Sequence, residues 1–280
     1  AALVDVVAID ESQRQGYELV YDAAVSGERF THDLEAQTVQ FSPRLVIAKR
    51  ARQELVDDAV INFGFGIPDQ VAKLIARDGM SDRYYQTIEH GTYGGRLMDG
   101  DLFGYAMNPN CMIDGPSQFD FYSGGGLDIA FLGFGEIDAA GNVNVSKLAG
   151  NTVGPGGFID IAQNAHVVVF CGTFDTGGTR LEIGKGRLEI VAHGRIAKLV
   201  NEVDQITFSG AQALAQGQRI IYVTERVVFE LTEEGVSLIE IAPGVDLERD
   251  ILNRMGFAPY VGVAPRVMDG LLFTDVEGET

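Results

Sequence analysis

Apolar positions along the chain alternate between strand-like runs and helical spacing. Residues 45–59 (LVIAKRARQELVDDA) carry apolar side chains at helical spacing, with Val56 among those expected to face inward. Residues 60–79 combine an apolar run, a glycine loop and a second helical pattern, with Pro68 near the predicted first turn and Gly79 at its predicted end. This strand–loop–helix order is typical of a mainly parallel sheet.

Further strands are predicted from apolar runs that are rich in β-branched residues. These runs cover residues 4–9, 84–88, 125–138, 165–174 and 187–194. Residues 219–243 resemble three strands with a turn at 233–235, and residues 246–257 resemble a helix that Asp246 caps and Gly256 ends. The sequence shows no internal repeat, and no linker clearly divides the chain into two domains.

Composition narrows the classes of function. The chain has 280 residues, of which 46% are hydrophobic, so it can bury a substantial core. Its net charge of −19 disfavours general binding to nucleic acid or to an anionic membrane, although local dipoles can still bind a small anion. No apolar run has transmembrane length, and no signal-peptide pattern occurs.

Cysteine usage favours a reduced compartment. Cys111 and Cys171 cannot form a disulfide scaffold, so a cytoplasmic location is the simplest interpretation. Both lie beside apolar residues, which favours inert buried thiols over nucleophiles. The four histidines show no ligand spacing, so no metal site is expected, and no G-x-S-x-G hydrolase motif occurs.

A single carboxylate, Glu89, ends a predicted strand in the stretch QTIEHGTYGG, and glycines follow it. Ligand sites in α/β sheets form at strand ends, and a carboxylate can act as a nucleophile toward an activated acyl group such as a thioester. A helix cap or a solvated loop acid is the alternative interpretation. The adjacent His90 could serve as an acid or base, but neighbouring strand side chains face opposite ways, which favours a packing or gating role.

Three glycine loops accompany this acid. Gly64 and Gly66 flank Phe65 in the first, Gly124, Gly125 and Gly126 form the second, and the third (GPGG) contains Gly156 and Gly157. Backbone N–H groups in such loops can bind an anion or a developing oxyanion. Each loop alone could be a tight turn, and Asp69 occupies the place of the third glycine of the dinucleotide fingerprint. Together with Glu89 the three loops favour a ligand site.

Nine motifs follow one another along the chain: FGFGIPDQVA, IEHGTYGG, QFDFYSGGGLDIAFLG, GNVNVSKL, GPGGFIDIAQNA, VVFCGTF, QITFSG, YVTERVVFEL and IEIAPGVDLERDIL. In this order they resemble the family I CoA-transferases, in particular the propionate and acetoacetate CoA-transferase branch, and the resemblance extends from about residue 45 to about residue 260. The resemblance is to the glutamate-bearing half, the beta or C-terminal half. It implies a three-layer α/β/α domain over residues 45–280, with a mainly parallel central sheet and additional antiparallel strands, preceded by a linker segment over residues 1–44.

The resemblance also implies partners. In this family two similar α/β halves form the enzyme, so an alpha-type half is expected as a separate chain or as a missing N-terminal domain. The sequence starts with Ala1 and not with Met, which we interpret as a cut or a processed end, with ordinary Met removal as an equal alternative. A homo- or hetero-oligomer is expected, and the isolated chain is expected to be weakly active or inactive.

By resemblance, Glu89 is the nucleophile that attacks acyl-CoA and passes through a mixed anhydride to a glutamyl-CoA thioester. The resemblance assigns oxyanion donors to the backbone N–H of Phe65 and to that of Gly156 or Gly157. It also implies that the pantetheine arm of CoA approaches the backbone at residues 124–126. Coenzyme A and a carboxylic acid are substrates, and no permanently bound cofactor is implied.

The sequence departs from the related branch beside the reactive acid. His90, Thr92 and Tyr93 stand where that branch commonly has a small residue and a Pro-Ile pair, so His90 and Tyr93 are candidates for selecting the acyl chain. Lys147, Arg180, Lys185 and Arg187 are candidate contacts for CoA phosphates because they lie near the glycine loops in sequence. Two other functions stay open, namely an acyl-CoA hydrolase on the same scaffold and a ligand-sensing domain without catalysis.

Overall fold

The structure, a computed structural model, describes residues 3–13, 19–32, 34 and 38–275. The strand predicted over residues 4–9 is wrong, because described residues 3–13 contain no helix or strand. Leu3, Val6 and Ile9 are largely exposed, so the alternating pattern in this segment finds no sheet to join. The regular structure begins at Pro43, two residues before the predicted start of the catalytic domain.

A ten-stranded sheet forms the centre of the fold. Its strands, in chain order, are β1 (Val60–Phe63), β2 (Tyr85–Ile88), β3 (Thr92–Tyr93), β4 (Cys111–Met112), β5 (Ile129–Gly133), β6 (Val167–Cys171), β7 (Arg219–Val223), β8 (Val227–Thr232), β9 (Gly235–Ile241) and β10 (Arg266–Val267). Their order across the sheet is β10-β9-β8-β7-β6-β5-β1-β2-β3-β4. The central block β7-β6-β5-β1-β2 is parallel, whereas β3, β4, β8 and β9 pair antiparallel with their chain neighbours.

Five α-helices within the described residues cover the two faces of this sheet. They are α1 (Pro43–Ala51), α2 (Asp69–Arg77), α3 (Gly115–Ser123), α4 (Phe158–Ala162) and α5 (Gly210–Gln216). Alternate strand residues serve opposite faces: Phe63 and Phe131 pack in the core beneath α1 and α2, while Ala130 and Phe170 pack in the core beneath α3, α4 and α5. The predicted three-layer α/β/α fold, with a mainly parallel sheet and antiparallel strands over residues 219–243, is therefore confirmed.

Shorter elements lie outside the central sheet. Five antiparallel pairs are Arg96–Leu97 with Ala106–Met107, Glu136–Ile137 with Val143–Asn144, Lys147–Leu148 with Asn151–Thr152, Asp175–Thr176 with Ile196–Ala197, and Arg180–Gly184 with Arg187–Ala192. The 3₁₀ turns are Arg52–Glu54, Ser81–Arg83, Gly100–Leu102, Leu252–Arg254 and Gly270–Phe273. None of the helices in the described residues is long and apolar enough to cross a bilayer.

Two predicted helices are shorter than their patterns indicated. The first ends at Ala51 because the chain must turn into β1: Leu55 is extended and Asp58 adopts a left-handed conformation with φ +61°. Val56 is 64% exposed and does not face inward as predicted. Near the C-terminus, Asp246 does cap the predicted start, but the helix is only a short π-helical segment over Leu247–Ile251.

The parallel block determines where a site can form. Because β1, β2, β5, β6 and β7 run in one direction, their carboxyl ends meet at one edge of the sheet. The loops after these strands lie together there. This edge, called the carboxyl edge below, receives both Glu89 after β2 and the first glycine loop after β1.

Candidate active site

Glu89 follows β2 directly and is half-buried at the carboxyl edge. The parallel register pairs Asn62 of β1 with Thr87 of β2, which brings the Asn62 side chain close to the end of β2. The Asn62 amide donates a hydrogen bond to Oε2 of Glu89 at 3.3 Å, and Asn62 itself is fully buried. The carboxylate is thus oriented by a neutral donor and remains partly exposed.

A chain of hydrogen bonds supports Asn62 from the α3 side. The Asn62 amide also donates to the Tyr122 hydroxyl at 3.3 Å, and the hydroxyls of Tyr122 and Thr87 lie 2.7 Å apart. Because Thr87 donates its proton to the carbonyl of Ile61, Tyr122 must donate to Thr87. Burial raises the pKa of Tyr122 to about 12, so its phenol keeps that proton at neutral pH.

Unpartnered polar atoms accumulate at the same place. Within the described residues, three buried side-chain polar atoms lack a hydrogen-bond partner: Oδ1 of Asn62 and both amide atoms of Gln118. Gln118 is fully buried on α3, one turn before Tyr122. Such atoms are rare in folded proteins because each forfeits its hydration, and they mark sites that need an explanation.

The first glycine loop presents one free amide. Gly64 donates its N–H to the carbonyl of Phe131 at 2.8 Å, and Gly66 donates to the Asp69 carboxylate at 3.2 Å. The N–H of Phe65, between them, has no partner within the part of the chain that the structure describes. The Phe65 ring is exposed and packs edge-on against Phe103, with ring centroids 5.5 Å apart. This free amide stands after β1, beside the strand that Glu89 follows.

The third glycine loop leaves amides free near α3. The N–H groups of Val153 and Gly154 both bind the carbonyl of Ser146, at 2.8 and 3.1 Å. Those of Gly156 and Gly157 have no partner among the described residues. Gly157 packs so closely on Phe119 of α3 that a Cβ there would lie 2.7 Å from the ring. A larger residue at position 157 would therefore require the Phe119 ring of α3 to move.

The second glycine loop lies elsewhere. Gly124, Gly125 and Gly126 donate their N–H groups to the last carbonyls of α3, each at 3.0 Å, so they cap that helix. The loop precedes β5 and therefore lies at the amino edge of the sheet, opposite Glu89. The structure does not bring these three glycines together with Glu89. A helix cap and an anion-binding loop have the same composition, which is why the sequence could not separate them.

The two specificity candidates have different environments. His90 is exposed, and its ring lies on Gly104, where a Cβ would come within 2.4 Å of Nδ1. Tyr93 is half-buried in β3, with its ring centroid 6.3 Å from that of Phe121 on α3. Burial raises the pKa of Tyr93, and the adjacent Gln118 amide opposes that rise. Tyr93 therefore borders the polar cluster around Glu89, whereas His90 packs on a neighbouring loop.

The remaining candidates lie outside this cluster. Cys171 is buried in β6, where burial raises the pKa of its thiol, but Cys111 is exposed on the edge strand β4, so the prediction that it is buried is wrong. No group of three or more potential ligands among the described residues is placed to hold a metal ion. Lys147 pairs with Asp204 at 2.9 Å and Arg187 lies 3.8 Å from Glu189, so both already face carboxylates.

Sequence reasoning missed three groups of the cluster, namely Asn62, Gln118 and Tyr122. A signal for Asn62 exists, because it is the one polar residue in the apolar strand VINF. Gln118 and Tyr122 are spaced by one helical turn in QFDFYS, so they share a face of α3. Nothing in the sequence shows that this face meets Glu89.

Curated proteins similar to this chain are CoA-transferases. The acetate CoA-transferase YdiF of Escherichia coli O157:H7 is 42% identical over 274 residues, 98% of this chain and 52% of that protein. The caffeate CoA-transferase of Acetobacterium woodii is 41% identical over 284 residues, 98% of this chain and 54% of that protein. The chain thus spans about half the length of these relatives. No protein-family model matches it.

A shorter relative and a solved structure extend this comparison. The acetate CoA-transferase subunit beta of Haemophilus influenzae is 28% identical over 217 residues, which cover 72% of this chain and 85% of that subunit. A crystal structure of the E. coli O157:H7 acyl-CoA transferase YdiF, a thioester complex with CoA, superimposes with a TM-score of 0.87. It is 42% identical, and the match covers 98% of this chain and 51% of that one.

Proposed function

Because the chain belongs to the family I CoA-transferases, we propose that it is the glutamate-bearing half of an acyl-CoA:carboxylate CoA-transferase and that Glu89 is its nucleophile. The observation that carries this proposal is the position of Glu89, half-buried at the carboxyl edge and held by Asn62. The neighbouring strand β1 ends at the same edge in the loop that contains the free N–H of Phe65. A carboxylate can itself act as the nucleophile toward a thioester, without a general base.

The reaction follows from these groups. Glu89 attacks the acyl-CoA carbonyl and releases CoA thiolate, leaving a mixed anhydride between Glu89 and the acyl group. The thiolate then attacks the Glu89 carbonyl, which releases the first acid and forms a glutamyl-CoA thioester. A second carboxylate reverses both steps and leaves as the new acyl-CoA, so Glu89 is regenerated. The thioester complex of YdiF with CoA supports an intermediate of this kind.

Oxyanions develop at each attack, and the chain offers free amides for them. The N–H of Phe65 is preorganised because Gly64 and Gly66, on either side, are held by their own hydrogen bonds. The N–H groups of Gly156 and Gly157 are the candidates from the third loop. A fixed backbone donor is effective because it needs no reorganisation when the charge develops.

The complete enzyme requires more than this chain. Residues 45–280 are the proposed catalytic unit, and residues 1–44 are a linker toward an alpha-type half, which is either a separate chain or a preceding domain. The matches to full-length transferases over about half their length, and to a beta subunit, support this arrangement. An oligomer in the cytoplasm is proposed with it. The acyl site then lies between two halves, which can exclude water from the thioester.

The test is intact mass after incubation of the chain with acetyl-CoA or propionyl-CoA. The expected product is a CoA-sized adduct that hydroxylamine removes and that Glu89→Ala cannot form. If no adduct forms, the experiment is repeated with the N-terminal half of a full-length relative added. An adduct that persists in Glu89→Ala, or its absence with both halves present, contradicts the proposal.

A further inference from the structure

A cavity of about 680 Å³ opens beside the first turn of α1. Its walls come from three segments: the start of α1, the loop that follows β6, and the hairpin formed by Arg180–Gly184 and Arg187–Ala192. Thr173, two residues after the end of β6, lines the cavity and places it at the carboxyl edge of the sheet. Its volume is that of a site for a small molecule, and the proposed chemistry at Glu89 leaves it unexplained.

Two arginines on the wall of this cavity lack an acidic partner. Arg44 and Arg180 both line the cavity and are exposed, and neither takes part in an ion pair or a side-chain hydrogen bond with another described residue. Other arginines of the chain, such as Arg50, Arg219 and Arg226, pair with carboxylates. Because the chain has 40 Asp and Glu residues against 21 Lys and Arg residues, two unpaired guanidiniums at one cavity indicate a position for an anionic ligand.

Hydroxyl groups add further hydrogen-bonding positions to the wall. The Ser42 hydroxyl accepts the N–H of Leu45 at 3.3 Å, which leaves its own proton for a ligand. Thr173 also lines the cavity, and its hydroxyl forms no side-chain hydrogen bond within the described part of the chain. Glu182 is the acidic residue on this wall, so the two arginines still leave a net positive charge there.

Three apolar side chains form another part of the wall. Pro43, Leu181 and Val191 line the cavity, and Val191 is 47% exposed. A ligand that fits both kinds of surface carries an anionic group on an apolar or aromatic body. A phosphate suits the two arginines because its oxygens can accept hydrogen bonds from both planar guanidiniums and from a hydroxyl together. A nucleotide has such phosphates, and the faces of its base can cover the apolar wall.

The cavity and Glu89 share the carboxyl edge. Glu89 follows β2 and Thr173 follows β6, and the sheet order β6-β5-β1-β2 separates them by three strand spacings, about 14 Å. An extended CoA molecule, with its pantetheine arm and diphosphate, is longer than this separation. Its thiol can therefore reach Glu89 while its nucleotide end occupies the cavity.

We propose that this cavity binds the phosphate-bearing end of a nucleotide, with Arg44 and Arg180 as the phosphate contacts and the apolar wall against the base. Two sources offer this chemistry, namely the nucleotide end of CoA and a free adenine nucleotide. The first source rests on the proposed function, because CoA is then the substrate that reacts at Glu89, whereas the second source does not. In both cases the removal of one guanidinium should weaken binding by about tenfold or more, as expected for charge-assisted hydrogen bonds.

Calorimetry tests the cavity without any chemistry at Glu89. ADP and CoA are titrated into the unmodified chain, with the N-terminal half of a full-length relative added if required, and into Arg44→Gln and Arg180→Gln. We expect each substitution to weaken the binding of at least ADP by about tenfold or more. Arg29→Gln removes an exposed charge outside the cavity and is the matched control, so it should bind like the unmodified chain. The inference is overturned if neither ligand binds, or if both variants keep the affinities of the unmodified chain.

Adduct formation at Glu89 distinguishes the two sources of the nucleotide. Acetyl-CoA is compared with acetyl-pantetheine, a thioester that lacks the nucleotide. If the cavity holds the nucleotide end of CoA, Arg44→Gln and Arg180→Gln should raise the acetyl-CoA concentration that gives half the maximal adduct rate by about tenfold. The rate with acetyl-pantetheine should not change, and ADP should compete with acetyl-CoA alone. Variants that lose ADP binding but react normally with acetyl-CoA assign the cavity to a free nucleotide.

Failure of this inference differs from failure of the proposed function. If no thioester forms an adduct but ADP binding still depends on Arg44 and Arg180, the proposed function is rejected and the nucleotide site stands. If adducts form and neither arginine affects the binding of ADP or CoA, the proposed function stands and the nucleotide site is rejected. Because both side chains are exposed, the two variants should keep the Tm of the unmodified chain, which excludes misfolding as the cause of lost binding.

Discussion

Asn62 donates a hydrogen bond across the sheet to Glu89, with 3.3 Å between Nδ2 and Oε2. Asn62 lies in β1 and Glu89 directly follows the neighbouring parallel strand β2, 27 positions away in sequence. The same amide contacts the Tyr122 hydroxyl, so one fully buried residue connects Glu89, the proposed nucleophile, to helix α3. This geometry makes Asn62 the residue whose loss should affect Glu89 most directly.

Asn62→Ala is expected to slow the formation of the Glu89 adduct by about 10- to 100-fold, because the carboxylate loses the donor that orients it. The adduct rate with propionyl-CoA, followed by intact mass, is the measurement. Asn151→Ala, at an exposed position, is the matched control and should leave the rate unchanged. An unaffected rate in Asn62→Ala, with circular dichroism like that of the unmodified chain, would show that Glu89 orients itself without this bond.

Gly66→Ala tests the first glycine loop. Gly66 has φ +99° and its Cβ would meet nothing within 4 Å, so the substitution strains the backbone without a steric clash. We expect the strain to lower the free energy of unfolding by about 1–2 kcal/mol. We also expect the Glu89 adduct to form more slowly, because the adjacent Phe65 amide shifts. Gly184→Ala is the control, since Gly184 is equally open but lies outside the left-handed region. Equal effects in both variants would rule out backbone strain as the cause.

The lowered pKa of Lys198 predicts that the stability of the fold depends on pH. Burial lowers its pKa to about 8, an effect that Glu225 partly opposes, and Nζ lies 4.0 Å from the Phe134 ring centroid. Because the folded pKa lies below the unfolded value near 10.5, the buried charge destabilises the fold below pH 8, and stability rises as the pH increases from about 8 to 10.5.

Lys198→Met should therefore raise the Tm at pH 7, and this gain should shrink at pH 10. Lys147→Met removes an exposed pair with Asp204 and should change the free energy of unfolding by less than about 1 kcal/mol at either pH. Thermal scans at the two pH values provide the measurement. A gain from Lys198→Met of the same size at pH 7 and pH 10 would contradict the assignment.

The lowered pKa of Asp250 predicts a second pH dependence of stability, in the acid range. The Arg249 guanidinium beside Asp250, together with the Asp246 N–H and His193, lowers the pKa of this buried carboxyl to about 2. Because the folded pKa is below the unfolded value, the stabilisation is present above about pH 4 and is lost as the pH falls toward 2.

Asp250→Asn should lower the free energy of unfolding by about 1–2 kcal/mol at pH 7. The loss stays this small because the Arg249 side chain is largely exposed, so solvent screens its charge. At pH 2 the loss in the free energy of unfolding should become small. Denaturant unfolding at both pH values is the measurement, with the exposed Asp101→Asn as control. A loss that is as large at pH 2 as at pH 7 would point to packing instead of ionisation.

The two cysteines should differ in reactivity. Cys111 is exposed and should be alkylated by iodoacetamide in the folded chain, whereas Cys171 is buried and its raised pKa disfavours the thiolate. Intact mass should show one alkylated thiol under native conditions and two in denaturant. Cys111→Ser should remove the native reaction, and alkylation of Cys171 in the folded chain would contradict the burial.

The longer strands of the central sheet were predictable because their signal is local, whereas the two-residue strands β3, β4 and β10 carry too short a pattern and were not predicted. Apolar runs such as VVVF and AFLG can only be buried between two helical layers, and the motif order resembles one family over most of the chain. Glu89 became a candidate for the same reason, since a lone acid at a strand end, followed by glycines, is a local pattern. The isolated alternation over residues 4–9 failed because alternation needs a neighbouring strand, which the sequence does not specify.

The layer architecture, a candidate acid at the end of β2 and the glycine-flanked loop at Phe65 could all be read from local patterns. The contact between Asn62 and Glu89, the burial of Gln118 on α3 and the capping of α3 by residues 124–126 became visible only in the folded chain. The physical reason is the separation along the sequence over which each kind of interaction acts. Periodicity and turn chemistry act over a few residues, whereas these contacts depend on the register of strands and helices that the sequence separates by tens of positions.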